Sequence, residues 1–67
     1  MNLIEEIKKL ELDDKITIYI EGGKSFTGIV GETSNENVLV IHQPKVGVVL
    51  LDLENTIVKG LKIFQQE

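Results

Sequence analysis

The chain has 67 residues, a formal charge of −4 with seven lysines and no arginine, and no cysteine. A length of this order holds one domain, residues 1–67, with a small core. The missing cysteine excludes disulfide staples and thiolate zinc sites and makes a reducing cytoplasm the natural compartment, and the acidic balance runs against the basic footprint of most nucleic-acid binders.

Asn2 followed by Glu5 has the form of a capping box, and Leu3, Ile4, Ile7 and Leu10 recur at helical spacing. Lys8 and Lys9 fall where a helix dipole favours cations. The pattern predicts an α-helix over residues 3–10, broken by the polar run Asp13-Asp14-Lys15.

From Lys15 the period changes to two. Ile16, Ile18 and Ile20 share one face of a strand, and Thr17, Tyr19 and Glu21 share the other. Gly22-Gly23 predicts a tight hairpin turn, because glycine accepts positive φ without a steric penalty. A second strand follows over 25–32, a polar tip over Thr33–Glu36, and a third strand over 37–42. Gln43-Pro44-Lys45 forms a turn, residues 46–51 a fourth strand, Asp52–Asn55 a polar link, and residues 56–64 a fifth strand.

Phe26, Gly28 and Val30 share a face of the second strand, so Gly28 interrupts an apolar stripe. A glycine inside a strand marks a sharp bend or a bulge. A bend lets a short sheet curl into a barrel; a bulge would leave an open meander. Val38–Ile41 and Val48–Leu51 are apolar at every position, where a half-buried strand alternates. Either a partner chain covers their second face, which favours a homo-oligomer, or the helix and a folded-over strand cover it within one chain. Repeated edge pairing of identical copies closes into a ring when the rotation allows. The longest apolar run, Val48–Leu51, is too short to span a membrane, and no signal-like apolar stretch opens the chain.

Nearly the whole chain resembles the Sm-like family, which includes bacterial Hfq and the archaeal Sm proteins. Lys15 to Gly28 is similar to the family's first motif, with Gly23, Phe26 and Gly28 at the turn, apolar and bend positions and Asn37-Val38-Leu39 closing it. Val46 to Asn55 has the layout of the second motif. The resemblance implies a mostly β fold: an N-terminal helix, then a five-stranded, strongly bent antiparallel small barrel of the SH3-like kind. It also implies a homo-oligomeric ring of about five to eight subunits that binds single-stranded RNA as a chaperone or processing scaffold.

The implied RNA-binding residues lie on the loops rimming the pore: Ser34, Asn35, Asn37, Asp52 and Asn55. Asp52-Leu53 stands where the family has Arg-Gly, which reverses a charge; a second alignment puts Lys59-Gly60 in that role. No aromatic lies between Thr33 and Asn37 to stack a base. Glu32, Glu36, Asp52 and Glu54 would make an acidic rim, which repels phosphate. They read as solvated turn residues or as a ring of ligands for a hard cation, although no ligand spacing fixes a metal site. Lys8, Lys9 and Lys15 offer an alternative basic surface. The alternative function is a structural or protein-interaction ring that has lost RNA binding. His42 is the only histidine, and neither Ser25 nor Ser34 sits in a nucleophile motif. No enzyme and no cofactor are expected.

Overall fold

Strand-forming residues in this chain come in runs of six or seven, and short connections make the first four strands successive antiparallel neighbours. The computed structural model describes residues 3–64. In chain order it has α1 (Ile4–Ile7), β1 (Lys15–Ile20), β2 (Lys24–Val30), β3 (Val38–Gln43), β4 (Gly47–Asp52) and β5 (Val58–Phe64). The strands form one antiparallel sheet in the order β4-β3-β2-β1-β5. The chain is therefore mostly β, with a short N-terminal helix. Among the described residues no ladder joins β4 to β5, so the sheet is open and both strands are edges. No helix among them is long and apolar enough to cross a membrane.

The helix is shorter than its apolar period predicts. The expected cap, Asn2, lies outside the described residues, and Leu3 occupies the N-cap position with no side-chain cap. Past Ile7 the bonding tightens: Lys9 N–H donates to Glu6 O at 3.2 Å and Leu10 N–H to Ile7 O at 3.1 Å. These i→i−3 bonds end the α-helix in a 3₁₀-like turn. The predicted face survives. Ile7 is buried in the core, and Leu3, Ile4 and Leu10 pack against it. Leu3 N–H also donates to Val58 O at 3.2 Å, tying the helix start to β5.

Ile16 and Ile18 of β1 are fully buried, and Val30, Leu39, Ile41, Leu51, Leu53 and Val58 complete the core with Ile7. Thr17 is also buried, on the opposite face of β1. Its hydroxyl lies 2.8 Å from that of Thr27, directly across the ladder, so neither is left unpaired. Gly22 and Gly23 have φ of 83° and 75° in the β1–β2 turn, the conformation expected of them.

At Gly28 the backbone of β3 comes close. A Cβ built on it would sit 2.5 Å from the His42 carbonyl oxygen and 2.5 Å from Ile41 Cγ2. Before Gly28, β2 pairs only with β1; after it, Ile29 and Val30 pair with His42 and Ile41. The glycine thus admits the backbone of β3 at the point where β2 takes a second partner.

The two wholly apolar strands differ. β3 is covered on both faces within the chain: Leu39, Val40 and Ile41 are all buried. β4 is not, since Val48 and Leu50 are 55% and 69% exposed while Leu51 is buried in the core and Val49 packs against it. Val46, expected to open β4, belongs instead to the turn, where its N–H donates to Gln43 O at 3.0 Å.

Candidate functional site

The two loops expected over residues 33–36 and 52–55 correspond to the connections 31–37 and 53–57, which join β2 to β3 and β4 to β5. One backbone bond joins them: Leu53 N–H donates to Asn37 O at 2.8 Å. It exists because Asp52 pairs with Val38 at the end of the β3–β4 ladder, so the next residue of each strand is already in reach. Leu53 then turns inward and is buried, which fixes the link from below.

Each loop is braced by its own polar side chains. Thr33 Oγ1 donates to Asn35 O at 3.0 Å and accepts from Asn35 N–H at 3.1 Å. Asn35 Oδ1 accepts from Asn37 N–H at 2.9 Å. In the second loop, Asp52 Oδ1 accepts from Glu54 N–H at 3.0 Å, and Asp52 Oδ2 accepts from Asn55 Nδ2 at 2.7 Å. The bonds from Asn35 and Asp52 to backbone N–H are of the Asx-turn type and that of Thr33 of the ST-turn type, in which a short polar side chain mimics a backbone bond. The Asn55 amide, with help from the Glu54 N–H, holds the Asp52 carboxyl below its ordinary value of 3.8. Asp52 therefore stays charged at neutral pH.

The structure brings Asn37, Asp52 and Asn55 to one end of the sheet and leaves Ser34 and Asn35 exposed on the loop beside them. Asn35, Asp52 and Asn55 are already engaged in bracing, whereas Asn37 contributes its backbone to the turns. Glu32, Glu36, Asp52 and Glu54 are all exposed, and among the described residues the one ion pair is elsewhere, Lys9 to Glu6 at 3.9 Å. The described residues contain no group of three or more carboxylates and histidines able to hold a metal ion. Lys59 and Gly60 lie inside β5, with Gly60 paired to Tyr19, whereas Asp52 ends β4 and Leu53 opens the loop that follows. His42 is exposed near the end of β3, its ring against Gly31.

A second polar feature was not legible in the sequence. Lys15 Nζ lies 5.2 Å and Lys62 Nζ 5.0 Å from the centre of the Phe64 ring. Lys15 pairs directly with Phe64 across the β1–β5 ladder, a neighbour relation that depends on the register. Of the three lysines expected to form a basic surface, all are exposed; Lys15 lies at this aromatic cluster and Lys9 beside Glu6.

Compared with known proteins, the chain matches no family model, no curated protein and no solved structure. Its function is read from its own residues.

Proposed function

We propose that the chain is an Sm-like subunit that assembles with copies of itself, β4 of one against β5 of the next, into a ring that serves as an interaction scaffold. The observation that carries this reading is the pair of open edges. Among the described residues β4 and β5 each join one other strand of the sheet, and they carry the exposed apolar side chains Val48, Leu50 and Ile63. An edge strand is a template for another strand, and burying such side chains stabilises association by roughly 1.5–3 kcal/mol each when burial is complete. The strand order and the close approach at Gly28 support the bent small barrel of that family. Multi-angle light scattering tests the assembly: a mass equal to several chains is expected at micromolar concentration, and a mass equal to one chain would overturn it.

A second reading, binding of single-stranded RNA on the ring, is favoured by the Lys15–Phe64–Lys62 cluster. Both ammoniums lie over the Phe64 ring and carry charge for phosphate beside an aromatic side chain that a base could stack on if they moved aside. Asn37, beside the second loop, offers an amide to a base edge. The braced, ionised Asp52 and the neighbouring glutamates oppose RNA at the loops themselves, so the scaffold reading comes first.

A further inference from the structure

Beside the loops lies an apolar groove of about 470 Å³. Buried Leu39 and Leu53 form its inner wall, Leu10 and Leu12 one side, and the exposed Glu32 and Glu36 its rim. Leu12 is 53% exposed, so the groove is not filled by its own lining. Lys8 is the one cation on it. The carboxylates outnumber it further on the adjoining link, which carries Glu11, Asp13 and Asp14. That link is bound to the end of β2 through Asp13 N–H to Val30 O at 2.9 Å and Val30 N–H to Asp14 O at 2.8 Å.

The opposite end of β3, some 20 Å away for a six-residue strand, carries an exposed apolar side chain and the opposite charge. The turn over residues 43–46 projects Lys45 and Val46. Val46 is 80% exposed, the most exposed large apolar residue among those described. Lys45, at a φ of 67°, sits at the tip beside it.

We infer that copies of this chain also associate end to end, the 43–46 turn of one entering the groove of the next. Val46 covers Leu12 and the leucine wall, and the Lys45 ammonium lies between the Glu32 and Glu36 carboxylates. Knob and groove are different surfaces at opposite ends of β3, so the contact is heterologous and extends as an open row. It uses none of the β4 and β5 edge residues invoked for the ring, and stands independently of that reading.

Charge reversal tests it on the full chain, because Lys45, Glu32 and Glu36 are all exposed and their exchange leaves the core intact. Sedimentation velocity is run across a concentration series at about 50 mM salt, where exposed charges are weakly screened. For the natural sequence the average mass is expected to keep rising beyond any single closed species. Lys45→Glu gives a chain with acidic knob and acidic groove, and Glu32→Lys with Glu36→Lys gives one with basic knob and basic groove. Each alone should lose the growth, and an equimolar mixture should regain it, because each knob then meets a groove of opposite sign. A natural chain that stops at one mass, growth that persists in either variant, or a mixture that stays as small as its components would overturn the inference. So would a natural chain that fails to grow yet binds a lysine-flanked leucine peptide, which would assign the groove to a foreign partner. A single closed mass insensitive to these charges would leave the ring standing while removing the end-to-end contact.

Discussion

Gly28 and His42 approach so closely across β2 and β3 that a methyl group on Gly28 would lie 2.5 Å from the His42 carbonyl oxygen. The obstacle on that side is backbone held in the ladder at Ile29–His42, so it cannot swing aside as a side chain would. Gly28→Ala should therefore destabilise the fold by about 1–3 kcal/mol, the range for overpacked cores, and Gly28→Val by more. Urea unfolding followed by circular dichroism measures both. A change below about 0.5 kcal/mol for alanine, the size of an ordinary surface substitution, would mean the two strands are not in contact there.

That contact also marks how far the sequence could be read. Alternation fixed β1, since Ile16 and Ile18 face the core as their period requires, and positive φ at Gly22 and Gly23 followed from residue type. Gly28 announced a special position, but not which strand approached it. The continuous apolar runs were harder, because Val38–Ile41 and Val48–Leu51 look alike in sequence. One lies inside the sheet and is covered on both faces; the other is an edge and is not. That difference comes from strand order, which no local pattern encodes. The same holds for Phe64 and Lys15, neighbours only through the β1–β5 register. The helix was read on the correct face but too long, because periodicity senses which residues are buried and not which hydrogen bonds close.

The bracing of Asp52 has a consequence in acid. Hydrogen bonds from the Asn55 amide and the Glu54 N–H lower its folded-state pKa below 3.8. A group depressed on folding contributes stability that is fully present above the unfolded value and is lost as pH falls through the folded one. The link over residues 52–55 should therefore hold through mild acid and loosen only below about pH 3.8. Carbon-13 NMR titration of the Asp52 carboxyl checks this, with Asn55→Ala expected to move the midpoint upward. An unchanged midpoint in that variant would show that the amide does not hold the carboxylate in solution.

The edge residues make a separate prediction about assembly. Leu50 and Ile63 are 69% and 51% exposed in the single chain, so Leu50→Lys or Ile63→Lys should leave unfolding free energy within about 0.5 kcal/mol of the original. If β4 and β5 meet between copies, each substitution places an ammonium against apolar side chains there. A weakening of association of about tenfold or more, or roughly 1.4 kcal/mol, is expected by sedimentation equilibrium. Variants that keep the natural mass at every concentration would show that these side chains lie outside any contact between copies.

Single-stranded RNA distinguishes the two functional readings. Fluorescence anisotropy with labelled oligo-uridylate at about 50 mM salt should show binding that weakens as salt rises, the mark of phosphate contacts. Loss of one stacked base costs ~1–3 kcal/mol, so Phe64→Ala should reduce affinity by roughly tenfold if the ring of Phe64 carries a base. Asn37→Ala should reduce it if the loop does. Because Phe64 is partly buried, the variant is compared with Lys62→Gln, which keeps the packing and removes one charge. A drop in Lys62→Gln accompanied by a shallower salt dependence would place phosphate at this cluster. No binding of any homopolymer by the natural chain would overturn the RNA reading.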